Sequence, residues 1–136
     1  MKTIAKFLSL LFIVFASCQV DKSTIDPTAD DRDKYVGNWT CVENPAAKVS
    51  FSITITKNTA NSSEIFISNF NLLGVDVKPY ATVSSTTLTI PTQWVCSNTT
   101  RIYGNGILVN DAKITLQYTV IDTDSASYTA TYTKQP

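Results

Sequence analysis

The stretch VSFSITIT, residues 49–56, alternates apolar and polar side chains without a break. Successive side chains of a β-strand point to opposite faces, so this stretch predicts a strand with one buried face and one wet face. The stretches ITLQYTV (114–120) and SYTATYT (127–133) show the same period of two. Threonine fills many of the polar positions, and this β-branched residue favours strands. Three strands with a defined inner face are therefore predicted.

Weaker strand patterns occupy most of the remaining chain from Tyr35 onwards. They cover residues 35–43, 63–70, 78–85, 87–90 and 100–109, with turn-forming residues between them. Seven or eight short strands at a spacing of roughly ten residues are typical of an all-β barrel or sandwich. A barrel also leaves no strand edge exposed to aggregation. We predict an all-β fold, a small antiparallel meander barrel of about eight strands, preceded by a short N-terminal helix or turn.

Two positions interrupt the predicted strands. The sequence Gly104-Asn105-Gly106 permits either a tight hairpin or a strand that bends at its glycines. Pro91 follows the strand at 87–90 and cannot donate a hydrogen bond to a β-ladder. Trp94 is therefore predicted to lie in a loop or at a strand end.

Residues 1–17 have the organisation of a signal peptide. Lys2 and Lys6 precede an apolar run of ten residues at 7–16, which is half of the about 20 residues that a membrane-spanning helix requires. The sequence Phe15-Ala16-Ser17-Cys18 resembles the bacterial lipobox, which implies cleavage before Cys18 and attachment of lipid to its thiol. The alternative is ordinary secretory cleavage after Ala16, which would leave Cys18 as a spare thiol.

These features divide the chain into three parts. They are a lipoprotein signal peptide (1–17), a polar tether (18–34) and a β-barrel domain (35–136). Lipid on Cys18 would hold the exported protein on a membrane. Gln19 stands where an aspartate commonly retains lipoproteins in the inner membrane, so we expect the outer membrane, at its periplasmic face or at the cell surface.

The composition excludes several classes of function. The chain has 136 residues, 11 basic and 11 acidic side chains and no histidine. Without histidine there is no Ser-His-Asp triad and no His-ligated zinc, and we predict no enzymatic activity, no metal and no cofactor. The formal net charge changes from 0 to −2 when Lys2 and Lys6 are removed with the signal peptide. Neither value supports nucleic-acid binding. The acidic groups at 30–33 and 122–124 favour a helix start and a hairpin turn over a cation site.

The sequence Gly37-Asn38-Trp39, at the start of the first strand, resembles the Gly-x-Trp signature of lipocalins. The chain as a whole resembles small lipocalin-like (calycin) lipoproteins of Bacteroidetes. Besides the lipobox, the resemblance includes the stretches at 88–93, 102–106 and 114–118. It implies that Gly37 permits a tight entry into the strand and that Trp39 closes one end of the barrel.

The two cysteines of the barrel domain allow two interpretations. Cys41 and Cys96 form an even pair once Cys18 carries lipid, and export makes a disulfide between them possible. Alternatively, they are two buried thiols that act as small apolar side chains.

Aromatic side chains supply most of the candidate ligand contacts. Those we select for contact with a ligand are Trp94, Tyr103, Tyr118, Tyr128 and Tyr132. Each aromatic residue taken singly is more often part of a core than of a site. A separate candidate is Ser125, because Asp124-Ser125-Ala126 resembles the O-glycosylation acceptor of exported Bacteroidetes proteins.

Two functions fit these features. In the first, the membrane-anchored barrel binds a small apolar or amphipathic ligand in its mouth. In the second, a solid barrel acts as a structural or interaction module that contacts a protein or glycan of the cell envelope. A hollow interior would favour the first function and a filled interior the second, and the sequence leaves the oligomeric state open.

Maturation at Cys18 is open to a direct test. Intact-mass analysis of the protein from its native host is expected to show a chain that begins at Cys18 and carries acyl chains on that residue. Cys18→Ser removes the thiol to which the lipid is attached, so it should leave the signal peptide uncleaved. A mature chain that begins at an unmodified Ser17 would contradict the lipoprotein prediction.

Overall fold

A computed structural model describes residues 29–44 and 49–136 of the chain. The predicted signal peptide, Cys18 and most of the predicted tether lie outside these residues. Within the described ranges, no helix is long and apolar enough to cross a membrane.

The described chain is almost entirely β-structure, because the period-two stretches each form a strand. The strands are β1 (Gly37–Asn44), β2 (Ser50–Lys57), β3 (Glu64–Ser68), β4 (Tyr80–Ser84), β5 (Thr87–Val95), β6 (Thr100–Asn110), β7 (Lys113–Ile121) and β8 (Ser125–Lys134). Two short 3-10 helices, Asp31–Lys34 and Phe70–Leu72, lie before β1 and after β3.

The eight strands form one closed antiparallel barrel in which each strand pairs with its neighbours in sequence. The barrel closes where β1 pairs with β8, with Cys41 opposite Tyr132 and Glu43 opposite Ala130. This arrangement confirms the predicted fold class, a meander barrel of eight strands with a short helix at its N-terminal side.

The core lies inside the barrel and is built from alternate residues of every strand. On β7, for example, Ile114, Leu116, Tyr118 and Val120 are buried, whereas the residues between them face outward. The largest fully buried side chains are Trp39, Tyr35, Tyr132 and Phe70. Aromatic and branched side chains therefore fill the interior, as in other small eight-stranded barrels.

The strand predicted at 87–90 continues past Pro91 to Val95, so Trp94 lies at a strand end, one of the two positions predicted for it, and not in a loop. The pairing with β6 shifts between Ile90 and Gln93, which marks a β-bulge. The bulge accommodates Pro91, which has no N–H to donate. It also reverses the alternation, because Gln93 pairs with the buried Ile102 and Trp94 pairs with Arg101 on the outer face.

One end of the barrel, which we name the closed end, is covered by the N-terminal 3-10 helix. The Arg32 guanidinium donates to the carbonyl oxygens of Asn58 and Asn61, both at 2.9 Å. The Asp31 carboxylate accepts from the Ser85 backbone N–H at 2.7 Å. Three contacts to two separate turns hold the helix across this end.

The sequence Gly104-Asn105-Gly106 lies inside β6, which runs unbroken past it, so the hairpin interpretation was wrong. Both glycines face the interior. A Cβ on Gly104 would lie 2.5 Å from the Gln117 carbonyl oxygen and 2.5 Å from the Tyr118 Cβ. The strands β6 and β7 therefore approach so closely here that only glycine fits.

This close approach predicts a large effect of a single methyl group. Gly104→Ala is expected to lower the free energy of unfolding by about 1–3 kcal/mol, since the methyl group forces the two strands apart. Urea denaturation followed by circular dichroism measures the change. Asn105→Ala is the control on the adjacent outward position and should change stability by less than about 0.5 kcal/mol. Equal effects of the two substitutions would contradict the close approach.

Candidate ligand-binding site

The end of the barrel opposite the N-terminal 3-10 helix differs from the closed end, and we name it the mouth. The connections β3–β4, β5–β6 and β7–β8 lie there, because the odd-numbered strands run from the closed end to the mouth. Along β1 from the closed end to the mouth, the inward residues are Trp39, Cys41 and finally Glu43. A carboxyl group therefore enters the interior at the mouth.

Glu43 is buried, with 6% of its surface exposed. Its carboxylate accepts hydrogen bonds from the Tyr118 hydroxyl and, at 3.3 Å, from the Asn71 side-chain amide. The same Asn71 amide donates to the Tyr118 oxygen at 3.1 Å. No ion pair joins Glu43 to a basic side chain of the described residues. Burial of a carboxyl group without a counter-charge is costly, so this position is unusual for a purely structural residue.

Tyr132 adds a second unusual group to the same region. The residue is fully buried, and its hydroxyl has no hydrogen-bond partner in the described part of the chain. Burial raises the pKa of Tyr132 well above its ordinary value of 10.0, and the nearby Cys41 and Glu43 add to the shift. Burial and the bond to Glu43 likewise raise the pKa of Tyr118. Both phenols therefore stay protonated and act as donors, and one of them has no acceptor.

We name Glu43, Asn71, Tyr118 and Tyr132 the polar cluster. An aromatic stack lies against it: the Phe70 and Tyr118 ring centroids are 4.5 Å apart, and those of Tyr118 and Tyr128 are 5.3 Å apart. Phe70 belongs to the β3–β4 connection, whereas the two tyrosines belong to β7 and β8. The mouth thus combines apolar ring surface with a small number of converging polar groups, the usual composition of a small-molecule site.

Residues 69–73, which we name the strap, cover the polar cluster. Asn69, Asn71 and Leu72 have φ values of 60°, 49° and 57°, in the left-handed region. Asparagine tolerates this region, but a leucine there costs about 1–2 kcal/mol. The strap is held by the buried Phe70 ring, by the bonds of the Asn71 amide to Glu43 and Tyr118, and by one bond from the Asn69 amide to the Ser52 carbonyl oxygen, at 2.9 Å. None of these bonds is an ion pair, and a segment with stored strain is suited to open.

The structure divides the predicted aromatic contacts into two groups. Tyr118 and Tyr128 stack on the inner side of β7 and β8 toward the mouth, whereas Tyr132 lies deeper on β8, opposite Cys41 and Ile114. Trp94 and Tyr103 lie on the outer face of β5 and β6, with 56% and 42% of their surfaces exposed. They therefore do not line the interior with the other three.

Sequence reasoning missed Glu43, Phe70 and Asn71 as site residues. Glu43 had a detectable signal, since it continues the alternation of Trp39 and Cys41 and so had to face inward. Asn71 and Phe70 had none, because an irregular connection gives no periodic pattern that fixes where its side chains point.

The disulfide between Cys41 and Cys96 is not formed in the structure, where both are free thiols. Cys41 is buried on β1, whereas Cys96 lies in the turn after β5. In an eight-stranded barrel, β1 and β5 are four strands apart in either direction, so these residues lie on opposite sides. Burial raises the pKa of the Cys41 thiol, with a further contribution from Glu43, and makes that thiol unreactive.

The remaining predicted residues lie away from the mouth or on the surface. Trp39 is fully buried near the closed end, and its indole N–H donates to the Tyr35 carbonyl oxygen at 2.8 Å. Gly37 precedes it with a φ of 134°, a conformation that favours glycine. Ser125 begins β8 and is exposed. Within the described residues, no group of three or more acidic or cysteine side chains is arranged to hold a metal ion.

The sequence matches no protein-family model and no curated protein. Solved structures share the fold. One is the redesigned β-barrel b11L5F_LGL, with a TM-score of 0.54 and 13% identity over 80% of this chain and 98% of that chain. Another is the barrel EF1p2_mFAP2b bound to DFHBI, with a TM-score of 0.52 and 14% identity over 79% of this chain and 100% of that chain. At such identities the likeness concerns the fold alone.

The strain in the strap predicts that replacing Leu72, its residue least suited to the left-handed region, will stabilise the protein. Leu72→Asn is expected to raise the free energy of unfolding by about 0.5–1 kcal/mol, since asparagine adopts the left-handed region more readily. Thermal denaturation and urea titration measure the change. The control is Leu73→Asn, because Leu73 has an ordinary φ of −71° and packs against the core. That control should lower stability, and stabilisation by both substitutions would argue against strain at residue 72.

Proposed function

We propose that this protein is an exported, membrane-anchored, lipocalin-like lipoprotein whose barrel binds a small amphipathic ligand at its mouth. The observation that carries the proposal is the polar cluster, a buried carboxyl group and an unpartnered phenol inside an otherwise apolar barrel. Among the described residues, the phenol lacks a hydrogen-bond partner and the carboxyl group is buried without a counter-charge, so both reduce stability unless a ligand interacts with them. The ligand we propose has an apolar body and one polar end with a hydrogen-bond donor.

The contacts of the strap indicate how such a ligand would be held. Asn71 donates to both Glu43 and Tyr118, and the Phe70 ring packs at a tilt against the Tyr118 ring. When the strap moves outward, both contacts are lost and the carboxylate and the ring are uncovered. A donor group of the ligand then replaces the Asn71 amide on Glu43, and its apolar body takes the place of Phe70.

The unpartnered hydroxyl completes the arrangement. Tyr132 donates a hydrogen bond to an acceptor on the ligand, since its oxygen is buried and has no partner among the described residues. A hydrogen bond to a charged group contributes about 1.5–3 kcal/mol net, and a neutral one contributes about 1 kcal/mol. The polar cluster therefore selects the polar end of the ligand, and the apolar rings contribute affinity.

The surface around the mouth is consistent with an amphipathic ligand. Leu72 and Val75 lie in the β3–β4 connection and expose 53% and 65% of their surfaces. Val49, before β2, is also exposed at this end of the barrel. An apolar rim at the entrance favours the approach of apolar molecules.

The position of the N-terminal 3-10 helix supports the proposed anchor. The helix covers the closed end, so the residues that precede it join the barrel at the end opposite the mouth. Attachment of the chain to a membrane through Cys18 would then leave the mouth accessible. Residues 1–17 and Cys18 itself support the lipoprotein assignment by their sequence alone.

A second candidate function follows from the filled interior. Twenty apolar residues are buried in one cluster, which includes Phe70 beneath the strap. A barrel whose strap never opens would be a solid interaction module of the envelope, as in the second interpretation of the sequence. The two candidates differ in whether an apolar probe enters the mouth.

The binding proposal is tested with N-phenyl-1-naphthylamine, an apolar probe with one N–H donor whose fluorescence rises in apolar surroundings. Titration of the full chain is expected to give a saturable, one-to-one rise. Glu43→Gln should weaken binding by about tenfold, because a carboxylate accepts a stronger hydrogen bond than a neutral amide oxygen. Phe70→Ala should strengthen binding, because it removes the ring that the probe has to displace.

The matched control is Glu64→Gln, which alters the other glutamate of the chain. Glu64 begins β3 at the closed end, where it accepts from the Asn58 and Asn61 amides, both at 2.8 Å. This variant should bind the probe like the unmodified protein. Equal weakening by both substitutions, or no saturable signal at all, would overturn ligand binding at the mouth, and the second result would support the solid module.

A further inference from the structure

The outer face of β6, β7 and β8 carries an open groove whose outward side chains the proposed function does not use. Its volume is about 430 Å³, and it is lined by Tyr118 and Tyr128 together with the outward residues Tyr103, Asn105, Gln117, Thr119, Ser127 and Thr129. A second lobe of about 420 Å³ shares Asn105, Gln117 and Thr129 with the first and continues toward Ile107. The two lobes form one elongated site, which we name the outer groove.

The shape of the outer groove follows from the glycines of β6. Gly104 and Gly106 face inward without side chains, and the β7 backbone approaches both of them closely. Such glycines let a strand bend tightly. The outward residues Tyr103, Asn105 and Ile107 alternate with these glycines, so the close approach of β6 and β7 lies directly behind the outer groove.

The polar side chains that line the outer groove carry no charge, and they lie beside apolar surface that includes Tyr103 and Ile107. Asn105 and Gln117 lie opposite each other on β6 and β7, and neither side chain bonds to another described residue. Each amide offers donors and an acceptor, and the neighbouring Thr119 and Ser127 hydroxyls lie 3.1 Å apart. These groups fit a ligand that is rich in hydroxyl groups and carries no charge.

Other classes of partner fit less well. An extended peptide that adds a strand requires unpaired backbone groups, and β6, β7 and β8 are paired on both sides in the closed barrel. A nucleic acid or an acidic lipid surface requires basic side chains, and neither lobe contains one. A hydrocarbon chain would leave the amides and hydroxyls without partners.

Aromatic surface accompanies the polar groups. Tyr103 lines the outer groove with 42% of its surface exposed. Beyond it on the same face, Trp94 exposes 56% of its surface, with the Arg101 guanidinium carbon 5.7 Å from its ring centroid. Exposed aromatic rings beside amides and hydroxyls suit the apolar C–H face and the hydroxyl rim of a sugar ring.

We infer that the outer groove binds a neutral saccharide. The Tyr103 ring stacks on the sugar face, and Asn105, Gln117 and Thr129 form hydrogen bonds with its hydroxyl groups. Because the two lobes share lining residues, the ligand is an oligosaccharide of more than one sugar unit. The outward side chains of this site lie on the opposite face of the barrel wall from Glu43 and Tyr132, so binding here does not require a ligand at the mouth.

The inference is tested by calorimetric titration of the full chain with neutral hexasaccharides of β-1,4-glucose, α-1,4-glucose, α-1,6-mannose and β-1,4-galactose. At least one is expected to bind. Tyr103→Ala should weaken that binding at least tenfold, and Gln117→Ala should weaken it about threefold to tenfold. Val109→Ala is the matched control, because Val109 faces outward on the same strand and lies beyond the outer groove.

The outcomes separate this site from the mouth. Glu43→Gln should leave saccharide binding unchanged, and the bound saccharide should not displace N-phenyl-1-naphthylamine. Circular dichroism melts of each variant establish that it is folded. Absence of binding by all four saccharides would overturn the inference. Equal loss in Tyr103→Ala and Val109→Ala, or equal binding of an acidic oligogalacturonate, would overturn it too.

Discussion

The pairing of β1 with β8 is the contact on which the rest of the structure depends. It joins strands from opposite ends of the chain, with Cys41 opposite Tyr132 and Glu43 opposite Ala130. Once the barrel is closed, every strand has a fixed inner face, because a shift of one residue would move all its side chains to the other side. The same register that buries Trp39 and Cys41 therefore also buries Glu43. The polar cluster is a consequence of closure combined with one glutamate in an inward position.

That glutamate changes the energetics of the mouth. A leucine or valine at the same position would pack without a desolvation cost, whereas a carboxyl group needs donors. Asn71 and Tyr118 supply them, and Tyr132 lies nearby with its own hydroxyl unpartnered. The buried polar groups on this side of the core thus have poorer hydrogen bonding than those of the closed end, where Trp39 and Tyr35 are hydrogen-bonded and buried. A barrel selected for stability alone would not need this difference between its ends.

The sequence predicted the parts of the fold that regular alternation controls. The stretches at 49–56, 114–120 and 127–133 became β2, β7 and β8, because one buried face leaves little choice of register. Trp94 shows where this reasoning fails. A single extra residue between Ile90 and Gln93 reverses the faces, and Gln93 then bonds through its side-chain amide to the Tyr80 backbone. Asn71 shows a second kind of failure, since its position depends on a connection whose backbone lies partly in the left-handed region.

The two ends of the barrel are held by different kinds of contact, and this difference determines where the protein can move. At the closed end, Asp30 forms ion pairs with Arg32 at 2.7 Å and Lys57 at 2.9 Å. These partners hold the pKa of Asp30 well below its ordinary value of 3.8, so the carboxylate keeps its charge, and its ion pairs, at lower pH than a free aspartate does. At the mouth, the strap has strained backbone and, among the described residues, is held by Phe70 and three side-chain hydrogen bonds, with no ion pair. Local opening occurs where the folded state is least stabilised, so we expect the strap to open before the closed end does.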